Sequence, residues 1–412
     1  MSSSKGRRVV VTGMGVVTPI GLDVDQFWTS IKAGKCGVSE LGGFPLEDLK
    51  ILIAAQIKDY EPKVRLKGFK RDKLITLADR YSWFAADAAE QAVRQAGLEV
   101  PFTDPYRSAC IIGSGAGGLV TYEKAYRDLF IENKRATHPL TLLRIIGSSA
   151  SAHVGIEFGI KGPTYATCSA CSTATHAIGN ARDYIRHGLV DVAIAGASES
   201  VINYGTMKAW QALHVLSPQG CFPFAKKRNG TVLGEGAGLL VLESLEHAQA
   251  RGAKIIAELK GYGMASDSKD MVKPTIEGPA YAMRMALEDA GLSPGDIDYL
   301  NAHGTATADN DINETRAIKE VFGNAAGRLA ISSTKSMHGH PLGAGGGIEA
   351  VACIKAMEEG WLPATIGLDE ADPECDLDYV PNVGRSKKLT HVMSNSFAFG
   401  GLNAVLVFGP AP

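Results

Sequence analysis

The chain reads as an α/β protein built on a largely parallel sheet with helices on both faces. Three observations predict it. Short β-branched runs alternate with helical patterns along the whole length, the order that strands joined by crossover helices produce. With 412 residues the chain can bury a large core without disulfide or metal staples. Apolar residues make up 45% and charged residues 21%, the balance of an ordinary globular protein.

The elements follow in order. Expected strands cover residues 8–12, 108–112, 190–195, 238–243, 255–262, 299–302, 330–333, 391–394 and 404–408. Expected helices cover 80–96, 172–187, 279–290 and 347–359. The opening run after Lys5 and Arg8 mimics a signal peptide. It contains Gly13, Gly15, Thr18 and Pro19 and lacks a small-residue cleavage site, so it reads as a first strand. In the helix over 172–187, Ala174, Ile178, Ala181 and Ile185 share one face, and Gly188 follows as a stop. No uninterrupted apolar stretch of about 18 residues occurs, so no membrane span is expected. Lys260-Gly-Tyr-Gly-Met-Ala-Ser266 echoes Thr12-Gly-Met-Gly-Val-Val17. With no long linker between them, these strands suggest two related halves, 1–250 and 251–412.

Lys and Arg total 42 against 44 Asp and Glu, so no basic excess points to nucleic acid. The seven cysteines are scattered through the chain. An odd count argues against a secreted disulfide framework and for reduced thiols in a cytoplasm.

Cys171 is expected at a helix N-terminus, where free N–H groups and the helix dipole favour thiolate. The bland alternative is a buried structural cysteine. Cys168-x-x-Cys171 places the second cysteine, not the first, at the helix start, which disfavours redox use. No second such pair exists to complete a zinc site. Of ten histidines, His303 follows a strand, and His338 and His340 precede a glycine-rich helix start. Loops at strand ends are where α/β proteins place chemistry. Three histidines in such loops also suit zinc, but short motifs match often by chance; no metal and no cofactor are expected. Gly13-x-Gly15 lacks the third glycine and the distant acid of a dinucleotide site. Neither a phosphate-loop lysine nor a nucleophile elbow of the Gly-x-Ser-x-Gly type is present.

Several motifs occur together: Ser169-Ala-Cys-Ser172, Pro223-Phe224, Arg228-x-Gly230, Gly234-Glu-Gly-Ala-Gly238, Asn301-Ala-His-Gly-Thr305, Ser333-Thr-Lys-Ser-Met337, Gly339-His340 and Asn395-Ser-Phe-Ala-Phe-Gly-Gly401. In this order, and over nearly the whole chain, they resemble the elongating β-ketoacyl-acyl carrier protein synthases. The resemblance implies the thiolase-like fold, two duplicated α/β halves in a five-layered αβαβα body. It implies ping-pong condensation of an acyl group on Cys171 with malonyl-carrier protein in fatty acid elongation. His303 and His340 would stabilise the enolate formed as CO₂ leaves. The N–H groups of Cys171 and Phe399 would form an oxyanion hole. Lys335 would hold the electrostatics, with Glu314 as its ion partner, and Asp311 would be structural. Thr305 and Thr307 would bind the pantetheine arm. Phe399 would gate the site, Gly400 and Gly401 allowing movement. The implied partners are acyl carrier protein, in acyl and malonyl forms, and a second copy in a homodimer, a heterodimer being the alternative. Arg71, Lys73, Lys134, Arg135, Lys226 and Lys227 are the candidates for carrier docking.

The chain departs from the family pattern in places. His338 stands where Thr is common and is expected to face solvent. Ala398 replaces a gate glycine and is expected to stiffen it, and Leu402 replaces a threonine. Phe222, Ala225 and Asn229 replace charged residues. Ala116 replaces a larger residue of the acyl pocket, which predicts a deeper pocket for long or unusual acyl chains; Trp210 is the bulky residue that would offset it. The alternatives to primary elongation are therefore a specialised, nodulation-type or polyene-type synthase, or a non-catalytic partner subunit. Intact Cys171, His303, Lys335 and His340 argue against the last.

Overall fold

The computed structural model describes residues 6–65 and 74–412. Ten strands form one sheet: β1 (Val9–Val17), β2 (Ser108–Gly113), β3 (Thr164–Tyr165), β4 (Val192–Glu199), β5 (Gly236–Ser244), β6 (Ala257–Ser266), β7 (Tyr299–Asn301), β8 (Ala330–Ser332), β9 (Val392–Ala398) and β10 (Leu402–Pro410). The helices that position the site are α1 (Arg80–Ala96), α2 (Ser149–Phe158), α3 (Thr173–Arg186), α4 (Glu277–Ala290), α5 (Ala308–Phe322) and α6 (Gly345–Glu359). Each expected strand and helix is present, with ends displaced by a few residues.

The sheet is mixed, not largely parallel. Five neighbouring pairs are antiparallel and four are parallel. Strands buried on both faces read as continuous apolar runs whatever their direction. The pattern that located β5 and β10 therefore carried no information on their sense.

Outward from the central pair, the order is β1-β5-β4-β2-β3 on one side and β6-β10-β9-β7-β8 on the other. Both sides run antiparallel, antiparallel, parallel, parallel. The seam between them is short, with only Val10 opposite Glu258 and Val11 opposite Ala257.

Five layers result. The period-two alternation of the strands divides their side chains between cores. Leu239 and Val241 of β5 pack outward with Phe84 and Ala88 of α1 and Val154 of α2. Leu240 and Leu242 pack inward with Ile178 and Ile185 of α3 and Ile348 and Val351 of α6. On the other side, Val405 and Val407 of β10 meet Met283 of α4 and Ile318 of α5, while Leu406 and Phe408 join the central core. Fully burying each Ile of α3 contributes about 2–3 kcal/mol.

The echo between the two opening strands has a physical cause. A Cβ on Gly13 or Gly15 would stand 2.0 or 1.8 Å from the carbonyl oxygens of Ala92 and Ala88 in α1. On Gly261 or Gly263 it would stand 2.2 or 2.1 Å from those of Ala286 and Ala282 in α4. Each strand thus takes a helix backbone directly on its surface, which only glycine permits. No helix among the described residues is long and apolar enough to cross a membrane.

Candidate active site

The connection from β3 to α3 carries Cys171, and the corresponding connection from β8 to α6 carries His340. Because α3 and α6 lie together in the central layer, the two connections meet. His340 Nε2 lies 3.0 Å from the sulfur of Cys171. His303, from the loop after β7, sets its ring 5.4 Å from that of His340 at 85°. All three side chains are buried.

Local chemistry fixes each loop. Cys171 sits in a 3₁₀ turn (Ala170–Ser172) just ahead of α3, after Ala170 at φ +48°, a conformation that strains a non-glycine residue. Hydroxyls hold the turn: Ser169 N donates to Thr173 Oγ1 at 2.9 Å, Ser172 Oγ to Ser169 O at 2.8 Å, and Thr173 Oγ1 to Ala170 O at 2.7 Å. Ser169 Oγ also meets His176 Nδ1 at 2.8 Å. The His303 loop is clamped by Glu314, which accepts from the N–H groups of His303 and Gly304, both at 2.8 Å, and from Asn395 Nδ2 at 3.1 Å. His340 is pinned through its backbone, donating to Val232 O at 2.7 Å and accepting from Gly234 N at 2.9 Å.

Lys335 is fully buried and paired with Glu349 of α6. Glu314, the partner expected from the sequence, is occupied by backbone N–H groups instead. A lysine at 0% exposure requires a buried anion, and Glu349 supplies it from the otherwise apolar, small-residue start of α6. The signal was an acid at the first buried turn of that helix.

Electrostatics follow from burial. The Cys171 thiol is pushed up to about 12 by desolvation, against the lowering effect of the Lys335 ammonium. The resting sulfur is therefore a thiol. The N–H of Phe399 hydrogen-bonds that sulfur and favours its charged form. Both His303 and His340 are held well below the ordinary imidazole range, first by burial and then by Lys335. Each is neutral at physiological pH, with one N–H to donate and one lone pair to accept. A buried thiol touching one neutral imidazole, with a second alongside, can lose its proton to a neighbour and can present N–H groups to a developing oxyanion. The three donor atoms lie within 4.8 Å of one another; a zinc ion needs such a set, but the adjacent Lys335 cation opposes a divalent charge.

A cavity of about 340 Å³ opens onto Cys171, His303 and His340, and Thr305, Thr307 and Phe399 line it. Thr305 Oγ1 and Thr307 Oγ1 are 3.0 Å apart. Phe399 stacks on Trp210, centroids 5.7 Å apart. The turn beyond it uses Gly400 and Gly401 at φ +80° and +69°, and Gly400 N donates to Met271 O at 2.8 Å. Ala398 instead ends β9 paired with Leu402. It needs no positive φ, so the expected stiffening has no basis there.

Ala116 packs with Cys171, Val201, Met207, Leu342 and Trp210 in one apolar cluster. Asp311 is fully buried and accepts from Phe224 N at 2.7 Å and Ala306 N at 3.2 Å, a structural clamp. His338 does not face solvent: it is fully buried and its Nε2 lies 3.1 Å from Thr334 Oγ1, because the short helix Lys335–His338 turns it inward beside Phe27. Burial drops it to about 3. Of the docking candidates, Lys134 pairs with Asp128 and Glu132, Lys226 with Glu370 and Lys227 with Asp369. Arg135 is exposed. Arg71 and Lys73 lie outside the described residues.

Comparison with known proteins agrees with this geometry. The pattern described as "Beta-ketoacyl synthase, N-terminal domain" matches residues 6–248, and "Beta-ketoacyl synthase, C-terminal domain" matches 256–369. Nodulation protein E of Rhizobium sp. (strain N33) is 44% identical over 98% of this chain and 99% of its own. The 3-oxoacyl-[acyl-carrier-protein] synthase 2 of Staphylococcus aureus (strain COL) is 42% identical over the same shares. Among solved structures, the ishigamide ketosynthase/chain length factor superposes with a TM-score of 0.94 at 34% identity, over 99% of this chain and 100% of that one. A type II PKS ketosynthase, bound to its acyl-carrier protein and the hexaketide, gives a TM-score of 0.89 at 34% identity with the same coverage. The thiol facing two imidazoles across two like-ordered half-sheets thus has a family: the chain belongs to the β-ketoacyl synthases, Claisen-condensing acyltransferases of the thiolase fold.

Proposed function

We propose that the chain is a specialised β-ketoacyl synthase that joins long or unusual acyl groups to malonyl units, both carried by an acyl carrier protein. The 3.0 Å contact between Cys171 and His340, with His303 beside it, is the observation that carries this reading. Cys171 gives up its proton and attacks the acyl thioester; the carrier thiol leaves with a proton and the acyl group stays on sulfur. Malonyl-carrier protein then enters and loses CO₂. His303 and His340 donate to the thioester oxygen of the resulting enolate. Its carbon attacks the acyl-sulfur carbonyl, the oxyanion resting on the Phe399 N–H, and Cys171 is released. Lys335, held by Glu349, steadies the thiolate as it forms. Thr305 and Thr307 hold the pantetheine arm in the cavity, and Phe399 swings on Gly400 and Gly401 to admit it. Asp311 and Glu314 keep their loops in place.

Ala116 supports the specialised reading over primary chain elongation. It places a short side chain in the apolar cluster beside Cys171, and relatives named for nodulation match as well as a 3-oxoacyl-[acyl-carrier-protein] synthase 2. Trp210 packs against the same cluster. An exposed apolar face with Tyr122, Tyr126, Phe130, Leu142 and Leu143 supports pairing with a second copy or a related partner chain. Carrier docking rests on Arg135 with Arg71 and Lys73, since Lys134, Lys226 and Lys227 already have acidic partners. The repeated strand order supports 1–250 and 251–412 as related halves.

The test is the product profile from acyl-carrier substrates of increasing length. Ala116→Ile is expected to lower turnover of the longest chains by about 10- to 100-fold and spare the short ones. An unchanged length profile removes the specialised reading. No acyl adduct on Cys171 removes the enzymatic one.

A further inference from the structure

Glu199 closes β4 and is fully buried. Four donors converge on it. Ser114 Oγ at 2.7 Å and Ala116 N at 3.3 Å reach one carboxylate oxygen, Gly115 N at 2.8 Å and Gly343 N at 3.1 Å the other. The first three belong to the loop after β2, in the half that carries Cys171. The fourth belongs to the turn just past His340, in the other half. A Cβ on Gly115 or Gly343 would stand 2.9 or 2.6 Å from Oε2, so both loops reach the carboxylate only as glycine.

None of its donors is a cation. Tyr81, whose hydroxyl donates to Ile146 O at 2.6 Å, and Cys171 both feel its charge. Around Cys171 the charged groups are Lys335, which favours thiolate, and Glu199 and Glu349, which oppose it; His303 and His340 face it as neutral rings. Burial raises the Glu199 carboxyl to about 7, against its four hydrogen bonds.

We infer that Glu199 is a positioning residue for the condensation: it locks the Ala116 loop beside Cys171 to the His340 turn, and its charge restrains the reactivity of Cys171. The inference rests on the condensing reading above. A buried carboxylate that ties two backbone loops from different halves sets the spacing across which sulfur and imidazole meet. Above about pH 7, where it is ionised, its negative charge also opposes thiolate on Cys171.

Glu199→Gln and Glu199→Asp test it in the full-length enzyme. Cys171 alkylation by iodoacetamide is followed by peptide mass across pH, alongside condensation rate and thermal melts. Glu199→Gln removes charge and keeps size. Its alkylation profile is expected to move to lower pH by about one unit, a roughly tenfold faster reaction at fixed pH, while condensation slows. A profile coincident with wild type overturns the electrostatic role. Glu199→Asp keeps charge and shortens reach, so alkylation is expected to stay near wild type while condensation falls. A wild-type condensation rate in the Asp variant overturns the positioning role, and this arm decides if the Gln variant does not fold. Failure of the condensing reading looks different: the wild type itself takes no acyl group from acyl carrier protein.

Discussion

Cys171 and His340 stand at equivalent places in the two halves, each on the connection that leads from an edge strand into a central helix. Their surroundings differ. The first connection is braced by hydroxyls around the strained Ala170. The second is braced by a buried ion pair, Lys335 with Glu349. The loops after β2 and β7 differ in the same way: one is a glycine wall held by Glu199, the other carries His303 held by Glu314. The half-sheets decide where a side chain stands, and the loop decides what chemistry it does. With the roles proposed for Cys171 and His340, a nucleophile and an oxyanion donor are thereby made from one strand order used twice.

The comparison is tested most severely at the nucleophile. Cys171→Ala is expected to lower condensation by on the order of 10⁴-fold or more, with no acyl adduct by intact mass. His303→Ala should separate the two halves' contributions. The acyl adduct still forms, while condensation falls by about 10²- to 10³-fold, as when an oxyanion donor is lost. Equal loss of acylation and condensation in that variant would erase the division of labour.

Stability measurements sharpen the contrast. Lys335→Met leaves Glu349 buried and alone, and urea unfolding should register a loss of about 3–5 kcal/mol. Adding Glu349→Leu should restore most of it without restoring condensation. Gly15→Ala and Gly263→Ala probe what the halves share. Each forces a Cβ into a helix carbonyl, so each should cost about 1–3 kcal/mol. A large inequality between them would count against equivalent scaffolds.

A further contrast lies in the pH dependence. Burial raises the Glu314 carboxyl to about 7, although the N–H of Gly304, Asn395 and the N–H of His303 favour its charge. The native state then keeps a proton that the unfolded chain loses near 4.3. Glu314 therefore removes stability as pH rises from about 4.5 to 7, and the loss is complete above that. Glu243 does the reverse. Burial pushes it up, but Arg251, His247 and Thr12 together hold it at about 2, so its contribution is lost as pH falls from about 4.5 to 2. Glu314→Gln should flatten the first slope of the melting temperature against pH and leave the second unchanged.

The strands and helices were legible because apolar runs and helical periodicity are local. Strand direction was not, since β5 and β10 are buried on both faces. Cys171 was legible at an expected helix start, and His303 and His340 in loops at strand ends. Lys335 was found without its partner, because Glu349 lies 14 residues on, near the otherwise small and apolar start of α6. Glu199 was missed for a related reason. A carboxylate ending an eight-residue strand whose every position is buried was the available signal, but its partners are backbone N–H groups, which leave no mark in a sequence. His338 was misjudged because a polar side chain two residues from a loop histidine reads as exposed, whereas the short turn that carries it faces the core.

The ladder joining the half-sheets amounts to two residue pairs, so their mutual spacing is set elsewhere, by α3 lying against α6 and by the Glu199 clamp between the loops. Cys171 rides the start of one helix and His340 leads into the other. The 3.0 Å between sulfur and imidazole is therefore a strain gauge for the whole body. A ligand or mutation that wedges those helices apart, however far from the cavity, registers first as a thiol that has lost its neighbour.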